Sequence, residues 1–207
     1  MTIDKDDLLN SILASISRID FMKAEDIPHI DLYMDQVTSF MEKELESTKR
    51  YPEDKILTKT MINNYAKNNL LPPPVKKKYS KEHMIVLTLI YYFKNILSIG
   101  DIEKLLNPIT KPYFHAEGEM DITKIYSEVC AFGKERTTRL QEDIKATYEF
   151  SEQTFQEAKD EEQDLLQFFS FICMLSLDVY VKKLLIEKLI DLMGDETQET
   201  EKQEKDK

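Results

Sequence analysis

The fold is decided by residues 57–80, which read LTKTMINNYAKNNLLPPPVKKKYS. Thr58 is a residue type that caps helix N-termini, and the three prolines that begin at Pro72 cannot continue a helix. At about 100° per residue, one side of the intervening helix carries only apolar residues, namely Leu57, Met61, Ile62 and Tyr65. The stretch therefore predicts an amphipathic helix from Thr58 to about Asn69.

The opposite side of this helix carries polar and basic residues: Lys59, Thr60, Asn63, Asn64 and Lys67. Asn can form two hydrogen bonds with adenine in the major groove of DNA, and Lys can reach guanine or a phosphate. This side has the chemistry of a DNA recognition helix. The same residue types are common on ordinary protein surfaces, so a solvated helix face is the alternative.

A compact basic strip follows the prolines at Lys76, Lys77 and Lys78. It predicts a short wing whose ammonium groups contact DNA phosphates and position the protein without reading sequence. Ser80 then predicts the N-cap of a further helix over residues 81–96. Because that helix is apolar almost all round, we expect it to lie at the centre of the core.

The distribution of charge also favours DNA binding by one part of the chain. The formal net charge of −11 argues against nucleic acid on its own. Between residues 50 and 83, however, eight basic residues stand against three acids, which gives a local +5 and leaves −16 for the remainder. A basic island on an acidic body is expected of a DNA-binding module joined to a partner or dimerisation region. A solvated loop with chance lysines is the alternative.

The composition predicts a mostly α fold, because only 4 glycines occur among 207 residues. Hydrophobic periodicity predicts further helices over residues 5–21, 31–46 and 98–106. The predicted organisation is an N-terminal domain over 1–112, a C-terminal helical region over 113–193 and a disordered acidic tail over 194–207.

In their order, these features resemble the DNA-binding domain of the MerR family over about residues 56–106. The segments that carry the resemblance are residues 60–65 (TMINNY), residues 70–72 (LLP), the short wing, and residues 97–106 (LSIGDIEKLL). The arginine and the paired aromatic residues of the family's recognition segment are absent here. The resemblance implies a winged helix-turn-helix that binds double-stranded DNA as a dimer.

A closer resemblance, from about Asp26 to Leu106, is to a bacterial family described as domain of unknown function 1836, which is itself similar to a MerR-type helix-turn-helix. It rests on residues 30–36 (IDLYMDQ), 57–65 (LTKTMINNY) and 76–83 (KKKYSKEH). The resemblance implies a MerR-like helix-turn-helix domain followed by long C-terminal helices. It supplies no ligand and no target.

The C-terminal region contains an apolar stretch, residues 165–181, interrupted by few polar residues. A membrane-spanning helix needs about 20 apolar residues, and an acidic residue such as Asp178 is costly within a bilayer. A buried core or dimer helix is therefore favoured over a membrane helix. Residues 165–193 are the predicted seam of a homodimer.

The sequence predicts a cytoplasmic protein that is not an enzyme. The two cysteines, Cys130 and Cys173, lie far apart among apolar residues, and the acid-rich first ten residues do not resemble a secretion signal. His29, His83 and His115 share no spacing with cysteines or carboxylates that indicates a metal site or a triad. No metal, cofactor or defined effector is predicted. The functional hypotheses are a transcription regulator, an adaptor whose helix-turn-helix binds protein and, as a distant third, a helical enzyme.

Overall fold

The computed structural model describes residues 5–16, 21–131 and 133–205, without the side chains of residues 5–8, 15, 16, 133–135, 160, 161 and 194–205. Within these ranges the fold is mostly helical, as predicted, with one two-stranded sheet. In chain order the elements are α1 (Lys5–Ile16), β1 (Leu32–Tyr33), α2 (Met34–Glu44), a 3-10 turn (Glu46–Thr48), α3 (Lys59–Lys67), β2 (Lys78–Tyr79), α4 (Lys81–Phe93), α5 (Ile99–Tyr113), α6 (Ile122–Ala131), α7 (Gly133–Ser151) and α8 (Asp160–Lys205).

Packing divides the chain into two units, which we call the central unit (residues 21–131 and 187–207) and the α7 unit (residues 1–20 and 132–186). The boundary that the sequence predicts at residue 112 lies inside the central unit. The reason is that α6, which follows that boundary, packs against α4 and α5. A run of polar residues between α5 and α6 is thus a loop within one unit.

The core of the central unit forms around α4, as the all-round apolar pattern of that helix predicts. Ile85, Val86, Leu87 and Ile90 of α4 are fully buried. The other elements of the unit contribute further buried apolar residues, including Val37, Met41, Ile62, Ile102, Leu106, Ile122 and Tyr126. Removal of this apolar surface from water is the main stabilising contribution, at roughly 25 cal/mol per Å².

β1 and β2 pair antiparallel, with Leu32 opposite Tyr79 and Tyr33 opposite Lys78. The helix predicted over residues 31–46 therefore begins later, at Met34, because Tyr33 is extended and precedes the first helical residue. The partner strand lies far along the chain, so no local pattern could indicate this pairing. Its consequence is that the start of α2 is fixed next to the segment that follows the prolines.

α5 is longer than predicted, because it continues to Tyr113 with Pro108 and Pro112 inside the helix. Its N-cap is Ser98, whose side chain accepts a hydrogen bond from the backbone N–H of Asp101 at 3.1 Å. A proline inside a helix costs about 3 kcal/mol. Leu106 and Thr110 are buried on the inner side of this segment, and that packing offsets the cost.

The α7 unit has a small apolar core. Leu9 and Leu13 of α1 pack with Tyr148 of α7 and Phe171 of α8. The side-chain amide of Gln141 donates to the carbonyl oxygen of Leu13 at 2.9 Å, which fixes α1 along α7. α1 is described from Lys5 to Ile16, and residues 17–20 of the predicted helix lie outside the described ranges; Phe21, its predicted last residue, is not helical.

α8 is exposed over most of the apolar stretch that the sequence predicts to be a buried core or dimer helix. Leu165, Leu177 and Val181 are 69%, 62% and 62% exposed, because the small core of the α7 unit takes up one side of the helix only. Among the described residues, no helix has the length and apolar character that crossing a membrane requires. α8 continues to Lys205 through the segment predicted to be a disordered tail, whose side chains are not described.

Candidate nucleic-acid interface

α3 separates its two sides as the sequence predicts. Thr58 caps the helix, since its hydroxyl oxygen accepts a hydrogen bond from the backbone N–H of Met61 at 3.2 Å. Ile62 and Tyr65 are buried in the central unit. The five predicted DNA-contacting residues of this helix are all exposed: Lys59, Thr60, Asn63, Asn64 and Lys67. The open side of α3 therefore presents amides, a hydroxyl and ammonium groups.

The end of α3 is held by a backbone reversal. Asn69 adopts a left-handed conformation with φ of 57°, and the backbone N–H groups of Leu70 and Leu71 both donate to the carbonyl oxygen of Tyr65, at 2.9 and 3.1 Å. Asn tolerates this conformation better than most residues. The side chains of Leu70 and Leu71 are buried, so the chain leaves α3 at a fixed angle.

The predicted wing is a tight two-residue hairpin. Val75 and Lys78 exchange two backbone hydrogen bonds, of 3.1 and 3.0 Å, around Lys76 and Lys77. Both lysines at the tip have positive φ, 51° and 64°, as in a type I′ turn. This turn strongly favours Asn-Gly, whereas a left-handed conformation costs an ordinary residue roughly 1–2 kcal/mol. The tip therefore places two lysines where the backbone would prefer other residues.

The three lysines of the strip have different environments. Lys76 and Lys77 are exposed at the tip of the hairpin, while Lys78 is partly buried. The ammonium group of Lys78 lies 5.3 Å from the centre of the Tyr33 ring on β1, in a cation–π contact. The tip thus presents two exposed positive charges. The side chain of Lys78 instead packs on β1 and stabilises the pairing of the two strands.

One acidic residue adjoins the open side of α3. The carboxylate of Asp35 forms an ion pair with the ammonium group of Lys59, and both side chains are mostly exposed. The residues of α3 alone give this side only hydrogen-bond donors and amides. Asp35 adds a carboxylate at its N-terminal end. Tyr33 and Asp35 are two residues apart, so their contacts bring Lys78 and Lys59 to the same end of α2.

His83 holds the base of the hairpin. Its Nδ1 accepts a hydrogen bond from the backbone N–H of Ser80 at 3.0 Å, and its Nε2 lies 3.3 Å from the carbonyl oxygen of Pro73. This pair of contacts requires a neutral ring with the proton on Nε2. Burial lowers the pKa of His83, which favours that neutral form. One side chain thereby connects both ends of the hairpin segment to the start of α4.

The sequence identifies His83 only as a residue of a helix N-terminus. It occupies the third helical position after Ser80, where Glu or Gln normally completes a capping box. A histidine in that position, followed by an almost entirely apolar helix, is the signal that could have revealed its buried role.

The connection from α2 to α3 covers residues 45–58, whereas a helix-turn-helix usually has a turn of about three to four residues. It is nevertheless anchored at Ile56, which is buried. The backbone N–H of Ile56 lies 3.4 Å from a carboxylate oxygen of Glu42, and its carbonyl oxygen accepts a hydrogen bond from Lys94 at 2.9 Å. A hydrogen bond from Lys49 lowers the pKa of Glu42 and keeps it ionised.

The two ends of residues 21–131, the longer of the two segments that form the central unit, meet in its core. The hydroxyl of Tyr126 on α6 donates a hydrogen bond to the carbonyl oxygen of Met22, and both residues are buried. Burial raises the pKa of Tyr126, so the hydroxyl stays protonated. This contact joins residues near both ends of the folded segment that carries α3 and the hairpin.

The family described as "Domain of unknown function (DUF1836)" matches residues 22–129, just over half of the chain. The chain belongs to this family. The matched segment begins at Met22 and includes Tyr126, and so extends beyond the residues on which the sequence resemblance rests. Neither the curated proteins nor the solved structures gave a match. Among the described residues, no group of three or more His, Cys, Asp and Glu side chains could hold a metal ion.

Proposed function

We propose that the DUF1836 domain of this chain is a MerR-like winged helix-turn-helix that binds double-stranded DNA and regulates transcription. α3 enters the major groove, and the hairpin at Lys76 and Lys77 contacts the phosphate backbone. In this proposal the chain acts in the cytoplasm as a non-enzymatic homodimer, since two copies are needed to read two half-sites.

The observation that carries the proposal is the conformation of the hairpin tip. Lys76 and Lys77 both occupy positive φ, at a free-energy cost that Asn-Gly would avoid. Strained backbone of this kind concentrates at functional sites, where a particular side chain is needed in a particular place. Two ammonium groups at the tip of a hairpin suit the contact of a wing with phosphates.

The open side of α3 supports base recognition. Asn63 and Asn64 are exposed, as are Thr60 and Lys67. The amide of Asn matches the hydrogen-bonding edge of adenine in the major groove, and Lys pairs with guanine or phosphate. On binding, Lys59 would exchange the carboxylate of Asp35 for a phosphate or a base.

A second candidate is an adaptor that binds another protein. It is favoured by apolar side chains on the hairpin and on the strand paired with it, since Val75 and Tyr33 are both more than half exposed. The long connection between α2 and α3 also departs from the usual helix-turn-helix. The two functions differ in their dependence on salt, because DNA binding through lysines weakens steeply as salt rises.

The test measures fluorescence anisotropy of a random-sequence DNA duplex with the full chain, from about 50 to 200 mM salt. We expect the triple variant with Lys76→Ala, Lys77→Ala and Lys78→Ala to lower affinity for all sequences by similar factors. The log–log salt slope should flatten by about 0.9 per lost phosphate contact.

The matched control removes three exposed lysines elsewhere in the central unit, through Lys43→Ala, Lys111→Ala and Lys124→Ala. It should retain most of the affinity, because it changes the net charge equally but not the hairpin. If both triple variants lost the same affinity for DNA, the effect would come from net charge and not from the hairpin. A wild-type chain without DNA affinity at low salt would favour the adaptor.

A further inference from the structure

An acidic side chain lies at the proposed DNA-binding surface, although the segment that forms this surface contains no acid. Residues 55–81, which include α3 and the hairpin, have lysines but neither Asp nor Glu. The acid comes from α2, which packs against α3, and the carboxylate of Asp35 contacts the ammonium group of Lys59. The fold therefore adds a hydrogen-bond acceptor to the N-terminal end of the open side of α3.

This carboxylate opposes binding to DNA phosphates. DNA carries one negative charge per about 1.7 Å of its axis, and the side chain of Asp35 is 78% exposed, so the two repel each other. An exposed ion pair such as the one with Lys59 is easily broken, because it contributes little free energy. When Lys59 binds a base, the carboxylate loses that ammonium group. A DNA sequence is then favoured only where it donates a hydrogen bond to the carboxylate.

The base pair that satisfies both side chains best is G·C. Lysine donates to O6 and N7 of guanine, and a carboxylate accepts from N4 of cytosine. In the major groove these groups lie side by side within one base pair, as the ammonium and carboxylate groups do in the protein. Thymine in place of cytosine presents O4 and a methyl group, neither of which donates to a carboxylate. In the reverse pair, T·A, adenine can donate, but thymine offers the lysine one acceptor instead of two.

We infer that Asp35 is a specificity-determining residue, which accepts a hydrogen bond from the amino group of cytosine while Lys59 donates to the guanine of the same pair. The inference rests on the DNA-binding function proposed above and adds a residue of α2 to base recognition by α3. It also sets a register. Lys59 and Asn63 are about 6 Å apart along the helix axis, so the G·C pair lies within about two base pairs of the adenine that Asn63 contacts.

The test begins with selection of binding sites from a random pool by the full chain, which should yield this G·C pair. The cytosine is then replaced by N4-methylcytosine, which keeps the base pair but occupies the position of the amino hydrogen in the major groove. The wild type should bind the methylated duplex about tenfold more weakly in an anisotropy titration. Asp35→Ala should bind both duplexes equally, and should bind random DNA more tightly because it repels phosphates less.

Exchange of the two charges tests whether the pair acts on bases or only on the fold. Asp35→Lys/Lys59→Asp restores an ion pair with the donor and the acceptor interchanged, so a structural role of the pair is retained. We expect site selection with this variant to yield C·G in place of G·C at the same position, because the acceptor then faces the other base. An unchanged preference would assign the pair to the fold alone and overturn the inference.

Glu119→Gln is the matched control, because it removes an exposed acidic charge from the loop between α5 and α6. It should leave the preference for unmethylated cytosine at the wild-type value. Loss of the preference in this variant too would attribute the effect of Asp35→Ala to net charge and contradict the inference. Circular dichroism checks that each variant keeps its helix content.

The inference and the proposed function fail in distinguishable ways. A wild-type chain without affinity for any DNA at low salt overturns the proposed function, and the inference with it. A wild-type chain that binds DNA but is indifferent to N4-methylation overturns only the inference. Selection of sites without a G·C pair at this position has the same consequence.

Discussion

Apolar side chains are buried along α4 in the central unit, whereas many are exposed along α8 in the α7 unit. In the central unit, α4 is apolar almost all round and is enclosed, with Leu87 fully buried. In the α7 unit, α8 is similarly apolar over residues 165–181, yet Leu165 is 69% exposed. An apolar run therefore predicts burial without identifying what covers it. For α4 the cover is the same chain, and for α8 it would be the second copy of the proposed homodimer.

The largest expected effect tests this comparison with the same substitution in both units. Leu87→Ala should lower the free energy of unfolding by about 2–5 kcal/mol, because it leaves a cavity in a closed core. Leu165→Ala should change it by less than about 0.5 kcal/mol when denaturant unfolding is measured at low protein concentration. An equally large loss at Leu165 under those conditions would mean that the side chain is packed within one chain.

The sequence predicts those parts of the fold that depend on local signals. Thr58, the prolines after Leu71 and the apolar side of α3 together specify that helix, and the spacing of apolar residues specifies α4. The pairing of Leu32 with Tyr79 escapes this reasoning because the two residues are distant in the chain. The continuation of α5 through Pro108 depends likewise on tertiary packing that overrides a local rule.

For the candidate site, the sequence predicts the exposed residues of α3 and the two exposed lysines at the hairpin tip, Lys76 and Lys77. It groups Lys78 with them, although that side chain is partly buried. It does not predict their neighbours. The ion pair of Lys59 with Asp35 and the contact of Lys78 with Tyr33 both arise because β1 brings the start of α2 to these elements. The sequence does not predict the role of His83 either, because histidine is an unusual residue at that capping position.

The next largest effect concerns sequence discrimination by α3. Asn63→Ala or Asn64→Ala should cost about 1–3 kcal/mol of binding free energy for the preferred sequence, while affinity for random DNA changes little. Selection of binding sites from a random pool, followed by titration, measures both quantities. Unchanged preference in both variants would remove α3 from base recognition.

A smaller effect concerns pH. Burial lowers the pKa of His83 in the folded chain below the value of about 6.5 expected when unfolded, so between the two the unfolded state binds more protons. The contribution of this residue to stability is therefore complete above about pH 6.5 and is lost as the pH falls. Denaturant unfolding from pH 8 to pH 5 measures the trend.

His83→Gln is the matching variant, because Gln can accept the hydrogen bond from Ser80 at this capping position but does not titrate. Its free energy of unfolding should depend less on pH below about 6.5 than that of the wild type. The same pH dependence in both proteins would assign the effect to other groups.

The smallest expected effect separates the function of the hairpin from its stability. In Lys76→Asn/Lys77→Gly, both positions receive residues that favour positive φ, so the free energy of unfolding should rise by about 1 kcal/mol. Affinity for random DNA should fall, because two phosphate-contacting charges are removed while the hairpin keeps its conformation. Opposite changes in stability and affinity are expected where a strained residue is retained for function. Thermal unfolding and anisotropy on the same preparations measure both, and a stabilised variant with unchanged DNA affinity would contradict the proposed role of the hairpin tip.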